Sequence, residues 1–444
     1  MVLHYFSYVP HDLILRLAEP VRESLSSTHY NPPEGTNVSV KSILESLLPD
    51  KNSSLVPETS EGEIQREIRD FCLCCAALAS AEVEIGDLMS WIPRELSAAA
   101  EAAVAELSRV LSSGMDGKKF GRVAGLGVDF ALVPDERKLV VELMPQVLPL
   151  LKGIIKESSI DSTNDCDEIS AASARTPVAY AIVAAHQFRW FLTQVDYPHL
   201  GKLCSLVIPC ALTTLDHWSP AVKVQGMVSF IHLAKNVNSA ELGWYEDVIL
   251  DICCRNIASS DELWRYVVEM SVLLVTCIQR RNPRSSWFEK ILTEMLSHLD
   301  RQPRNKERRI AWLELIEPVL NGMGLVLLAH FRRIFPLLFQ WMHADDDETV
   351  ILVLQRVYTI MKLTWIRNTP YVERLVDELT ITYKNAALRR CREVIRTHVL
   401  QILILLQQCK GLQFEAAWDK HRDDPNLSTL APAFERGDAA TVVQ

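Results

Sequence analysis

Glycine is scarce, with 16 residues in 444, about half the roughly 7% of average usage. Such a chain is poorly provided for the many tight turns of an all-β fold or for a phosphate-cradling loop system. Positive charge is outweighed as well. The 46 Lys and Arg stand against 56 Asp and Glu, a formal charge of −10, which excludes a generally basic nucleic-acid binder. Long apolar runs are missing: the longest uncharged stretch, Pro318 to Phe331, has 14 residues, and Leu203 to Leu215 has 13. A bilayer-spanning helix needs roughly 20, so no membrane association is expected. The first twenty residues carry Asp12 and Glu19 in their apolar part and lack the layout of a secretion signal, so secretion is not expected.

Motifs that carry chemistry are absent too. Gly121 to Gly127 does not match a phosphate-binding loop, and Gly117-Lys118 is followed by Lys119 where Ser or Thr would be required. Cys72, Cys74 and Cys75, and the pair Cys253-Cys254, lack the separated C-x-x-C pairs of a zinc site. The acidic run Asp345 to Glu348 has neither the alternating ligands nor the central glycine of a calcium loop, and reads as a helix-capping turn. Twelve histidines are scattered, with no hydrolase or metalloprotease signature. Neither a cofactor nor a metal is expected, and no enzymatic activity. A Ser/His/Asp site assembled only by the fold stays open as an alternative.

What is present is 48% apolar residues, enough for a buried core, together with eleven cysteines. Cys72, Cys74, Cys75, Cys253, Cys254 and Cys277 fall inside apolar helical stretches. They read as small buried hydrophobes in a reducing compartment, the cytoplasm and also the nucleus.

The strongest signal is a repeat. Segments beginning at Leu206, Val248, Lys290, Ile334 and Leu375 start 42, 42, 44 and 41 residues apart, within the roughly 40 to 47 of HEAT and armadillo-type repeats. Each unit reads as an apolar helix A, a short polar turn and an apolar helix B. In the first, Asp216 to Pro220 makes the turn, with Ser219 as N-cap, Pro220 as the first helical residue and Val224, Val228 and Ile231 as a buried stripe. In the fourth, Val350, Val353, Leu354, Val357, Ile360 and Met361 follow the acidic turn at helical period. In the fifth, Ile395, Val399, Ile402, Leu403 and Leu406 precede a stop at Gly411. A sixth unit precedes these, with helices over 139–156 and 177–194 around an acidic, Ser-rich surface loop at 157–176. The expected fold is therefore all-α, a HEAT/armadillo-type α-solenoid superhelix. Residues 1–135 would form an irregular helical cap, with helices over 10–25, 40–48, 63–81 and 94–111. Residues 136–410 would hold about six two-helix repeats, and 411–444 a frayed tail without a further repeat.

Two features read as partner-binding candidates. Arg301 to Arg309 is the one local basic cluster; Arg304, Arg308 and Arg309 stand at an inter-helix turn that reads first as a solvated turn with the exposed start of helix B, then as a dock for an acidic protein surface, and last as a contact for a phosphate backbone. Tryptophans 218, 244, 264, 287, 312, 341 and 365 recur along the repeats, most expected in inter-repeat cores, and Trp365 beside Arg367 is a candidate interface anchor.

Three segments in order, Leu215 to Gly226 with Asp216, Trp218, Pro220 and Lys223, then Asp261 to Trp264, then Lys362 to Arg367 with Trp365, resemble the smaller Tel-two-interacting subunits of the Triple-T co-chaperone complex. The resemblance covers roughly residues 200–410, and nothing matches in the N-terminal third. It implies a non-catalytic scaffold whose partners are the large HEAT subunit and the Tel-two subunit of that complex, with PI3-kinase-related kinases and heat-shock chaperone adaptors served by the assembly. It implies no catalytic residue. The competing reading is a HEAT-repeat transport receptor or a regulatory scaffold of another pathway, which predicts regular acidic or Asn ladders on the B helices; the sequence shows none of sufficient regularity.

Overall fold

A computed structural model describes residues 11–32, 38–50, 61–82, 89–113, 128–158, 176–364, 370–430 and 434. Among them every regular element is helical, and within each of two compact units helix pairs stack in serial order: the fold is an all-α solenoid of HEAT type. The chain divides into two compact units, Met1–Ile252 and Cys253–Gln444.

The first unit holds α1 (His11–Ser27), α2 (Val40–Ser46), α3 (Glu61–Ala79), α4 (Arg94–Ser113), α5 (Asp135–Glu157), α6 (Val178–Thr193), α7 (Cys204–Leu215), α8 (Pro220–Asn236), the single turn α9 (Ser239–Gly243) and the start of α10 (Glu246–Asn256). Helices α5 and α6 form one pair, α7 and α8 the next, with α5 against α7 and α6 against α8. That is repeat stacking: the A helices make one row and the B helices another. The capping helices enter the same rows, α3 packing on α4 and α6, and α4 on α5. Accordingly α3 is buried on nearly every side from Phe71 to Ala79, its cysteines 72, 74 and 75 included. Burial pushes those thiols up, that of Cys74 to about 12. Helix α8 is likewise buried all round. The stripe read through Val224, Val228 and Ile231 is too narrow, since Val222, Met227 and Phe230 are fully buried while Val228 is only half-buried.

Gly226 explains one residue of the Leu215–Gly226 motif. A Cβ there would lie 2.9 Å from the Leu215 backbone nitrogen, so glycine lets the end of α7 cross α8 at close range. The expected acidic loop falls almost wholly on residues 159–175, and the glycine-bearing connector on 114–127, both outside the described residues.

The second unit continues with α11 (Asp261–Ile278), α12 (Ser286–Arg301), α13 (Lys306–Leu315), α14 (Glu317–Met323), α15 (Phe331–Met342), α16 (Asp347–Thr364), α17 (Tyr371–Asn385), α18 (Arg392–Lys410) and α19 (Leu412–Trp418). The rows recur: α12, α15 and α17 pack in series on one side, α11, α13, α16 and α18 on the other. The stripes of α16 and α18 are buried as the periodicity predicts. The B helix of the third unit is broken, because Pro318 has no N–H to continue the α13 ladder and a new helix begins at Glu317.

Allowing a few charges, Glu317–Met342 has the length and hydropathy of a membrane span. It is not one helix: Gly324 at φ 51° ends α14, a 3-10 segment follows, and α15 carries Arg332 and Arg333 on its exposed side. Its apolar residues Val319, Leu320, Leu327, Ile334 and Leu338 are buried inside the fold.

Gly411 ends α18 as expected, at φ 40°. The chain beyond it is more ordered than a frayed tail, because Phe414, Trp418 and Phe434 stack on one another, 4.8 to 6.1 Å between ring centres, and α19 packs on α17. That aromatic burial offsets the ordering entropy. Residues 435–444 lie outside the described residues.

Candidate functional site

Each B helix starts at a polar turn, and in the second unit successive turns are joined by charge. Asn305 caps α13 by accepting the Arg308 N–H at 3.1 Å. The Arg308 side chain then reaches back one repeat. Its Nε donates to Asp261 at 2.5 Å and its Nη2 to the Ser259 carbonyl at 2.7 Å. The guanidinium lies 4.6 Å over the Trp264 ring, whose indole N–H donates to the Arg308 carbonyl at 3.0 Å.

The next residue reaches forward. Arg309 donates to Asp346 and to the Thr349 hydroxyl, each at 3.2 Å. Asp346 accepts the Thr349 N–H at 2.9 Å, so one carboxylate caps α16 and receives Arg309. Burial alone would raise its pKa, but Thr349, Lys306 and Arg309 outweigh it and hold the carboxyl below the ordinary value. Asp347 passes the chain on, accepting the Cys391 N–H at 2.9 Å and Arg389 at 3.1 Å. The Cys391 N–H bond is the main reason its pKa is lowered. Asp261, Arg308, Arg309, Asp346, Asp347 and Arg389 thus run as a ladder over four consecutive repeats.

The basic turn is therefore split. Arg308 is buried, at 4% exposure, and the Arg309 side chain is at 11%, so both are inter-repeat braces, contrary to the solvated docking face expected of them. Arg304 is exposed at the tip of the turn. Trp365 and Arg367 lie outside the described residues. Trp264, Trp312 and Trp341 are core, the last two in edge contact at 5.8 Å, whereas Trp218 is half exposed and Trp244 88% exposed.

In the first unit the corresponding joint is neutral. The turn between α7 and α8 meets the end of α5, where His217 Nε2 and Ser158 Oγ are 3.0 Å apart. The Ser219 N–H donates to His217 Nδ1 at 3.0 Å, so Nδ1 is the acceptor and Nε2 carries the proton toward Ser158. The Ser158 hydroxyl donates to the Ile155 carbonyl, and Trp218 donates to the Ser158 carbonyl at 3.2 Å. A nucleophilic serine needs a histidine nitrogen free to take its proton; this pair runs the opposite way. Ser80 and His186, 3.0 Å apart, are arranged alike, the hydroxyl already donating to the Ala77 carbonyl at 2.7 Å. Burial lowers the pKa of His217 to about 4 and of His186 to about 3.

Among the exposed apolar residues that sequence reading did not single out is Leu388. Leu388, 95% exposed, sits in the turn before α18 outside any helical stripe, which is the signal that marks it.

No protein-family model matches the chain. It is 55% identical over 421 residues, 95% of its own length and 94% of the other's, to an uncharacterized protein of Arabidopsis thaliana, At2g39910. Over 195 residues it is 21% identical to the TELO2-interacting protein 2 of Homo sapiens, covering 41% of this chain and 38% of that protein, and 22% identical to its Rattus norvegicus counterpart over the same shares. Among solved structures, Kap121p superposes with a TM-score of 0.42 at 10% identity over 92% of this chain and 47% of that one. An engineered protein gives 0.43 at 11% over 97% and 98%.

Proposed function

For a chain that belongs to the family of the Arabidopsis thaliana protein At2g39910, we propose a non-catalytic role as a protein-binding scaffold, acting as the smaller Tel-two-interacting subunit of a Triple-T-type assembly. The observation that carries this reading is the 195-residue similarity to TELO2-interacting protein 2, whose name states an interaction with TELO2. The geometry supports it. The polar groups at the turns are engaged in holding repeats together, and in the second unit Tyr358 of α16 and Val394 of α18 leave apolar B-helix surface exposed for partners.

In this reading the partners are a Tel-two subunit and a large HEAT subunit, with PI3-kinase-related kinases and heat-shock chaperone adaptors reached through the assembly, and neither nucleic acid nor membrane. Residues 136–410 supply the binding array, 1–135 the cap and 411–444 the closing segment. The work is done in the cytoplasm and also the nucleus. Arg304 at the exposed turn tip, and Trp365 with Arg367, serve as contacts.

The test is purification of the tagged full chain from its own cells with identification of what co-elutes, followed by binary reconstitution with the Tel-two subunit. Stoichiometric recovery of the two Triple-T subunits supports the proposal. Recovery of many unrelated proteins, each released as cargo, with neither subunit present, replaces it with a transport receptor.

A further inference from the structure

One groove in the second unit lies beside the ladder and shares Asp347 and Arg389 with it. It has a volume of about 810 Å³ and opens between Glu314 of α13, the first turns of α16 and the loop that leads into α18. Its floor is apolar, built from Ile351 and Leu352 of α16, both half-buried, with Leu388 projecting at 95% exposure. The 3-10 turn that carries Leu388 buries Ala386 and turns the leucine outward. Outside this lining, Tyr358 further along α16 and Val394 at the start of α18 are also exposed, at 36% and 47%. Scattered exposed apolar residues are ordinary, but a contiguous set at a concave site marks an interaction surface.

The rim carries a sign. Asp347 and Arg389 neutralise each other in the ladder. What remains is Glu314, Asp345 and Glu348, all exposed, against the single guanidinium of Arg390. Glu314 touches Arg265 at 2.7 Å and Glu348 touches Lys306 at 3.5 Å. Both pairs sit in water, where such contacts are weak and exchange readily for another cation. The chain's net charge of −10 adds long-range attraction for a basic partner and repulsion for an acidic one.

We propose that this groove docks a short segment of a partner protein that carries at least two apolar side chains flanked by Lys or Arg, the apolar groups covering Leu388, Ile351 and Leu352 and the cations meeting Asp345, Glu348 and Glu314. This rests on the scaffold reading above and specifies which chemistry the scaffold selects.

The experiment pans a displayed library of random twelve-residue peptides against the immobilised full chain. Enriched sequences are expected to combine apolar residues with an excess of Lys and Arg. The chosen peptides, made synthetically, should bind the Leu388→Glu chain about tenfold or more weaker, the loss expected when a leucine-sized apolar contact is removed. The Asp345→Lys/Glu348→Lys chain should lose a similar factor while binding becomes insensitive to salt. Far-UV circular dichroism verifies that each variant is folded; because the two variants alter different segments of the lining, either one alone tests the site.

Absence of enrichment, enrichment of acidic peptides, or binding unchanged in both variants overturns the proposal. So does a concentration-dependent dimer that Leu388→Glu dissolves, since the occupant would then be a second copy of this chain. The outcome is separable from that of the scaffold test. Failure of the peptides with recovery of the Triple-T subunits removes only the groove, whereas selective peptides with no Triple-T subunits recovered removes only the named assembly.

Discussion

The two compact units solve one problem, joining a turn to the turn of the next repeat, with different chemistry. In the first, His217 and Ser158 meet as neutral groups, with the histidine tautomer set by the Ser219 N–H. In the second, Asp261, Arg308, Arg309, Asp346, Asp347 and Arg389 carry charge from turn to turn. The neutral joint is fully buried, with His217 and Ser158 both at 0% exposure, where an unpaired charge would cost several kcal/mol. The Arg308 joint keeps one partner in water, Asp261 at 56% side-chain exposure against 4% for Arg308, which limits the desolvation penalty; in the Arg309–Asp346 and Arg389–Asp347 joints both partners are more enclosed. Repeats with the same backbone layout thus differ in how they should respond to pH and to loss of a single side chain.

The comparison can be broken most severely at Val357, fully buried in α16. Val357→Asp places an unpaired charge between packed helices and should remove more than about 4 kcal/mol. Hydrogen exchange should show protection lost across 253–444; retained protection there contradicts the packing described. Arg308→Ala comes next. It leaves Asp261 and the Ser259 carbonyl without their donor and uncovers the Trp264 ring, a loss of about 2–3 kcal/mol in chemical denaturation.

In the first unit, Gly226→Ala forces the end of α7 away from α8. It should cost about 1–3 kcal/mol, with Gly243→Ala, where a Cβ has open space, as the neutral control. A smaller effect, about 1 kcal/mol, distinguishes the joints by pH. The folded pKa of His217, about 4, lies below the ordinary 6.5. The unfolded chain therefore takes up protons first, and the stabilisation is complete above pH 6.5 and fades as pH falls toward 4. Denaturation midpoints at pH 7 and 5 should differ more for the wild type than for His217→Gln. His186 shifts in the same direction, as do His298 and His330 in the second unit, so the difference between wild type and variant is the quantity to read. Asp346 and Asp347, whose carboxyls are held below the ordinary value, contribute stability that is complete above about pH 3.8 and fades only below it. Smallest of all, Arg304→Glu at the exposed turn tip should change stability by under about 0.5 kcal/mol. A larger change would mean that Arg304 braces the fold as its neighbours do.

Helix content, the near-42-residue period and the buried stripes of α16 and α18 were legible because a helix that must face its neighbours writes its period into the chain. The same logic found the acidic turn at Asp345 to Glu348 and read it as a cap, which Asp346 is; that Asp346 also receives Arg309 needs the next turn's position. Arg308 and Arg309 misled for a related reason. A basic run looks alike in sequence whether its arginines meet water or reach the carboxylates of adjacent repeats, 47 residues back in one direction and 37 forward in the other. The α13–α14 break could have been read from Pro318, and the order beyond Gly411 from Phe414, Trp418 and Phe434, had their spacing been weighed as a cluster.

Local patterning by itself determined that this protein is built from paired apolar helices, since burial periodicity is a property of each helix. Which arginine is buried, which serine–histidine pair runs in which direction, and that Leu388 stands outward beside three carboxylates were decided only when the turns of separate repeats came together. Ion pairs and tautomers depend on neighbours dozens of residues distant, and no local pattern encodes those distances.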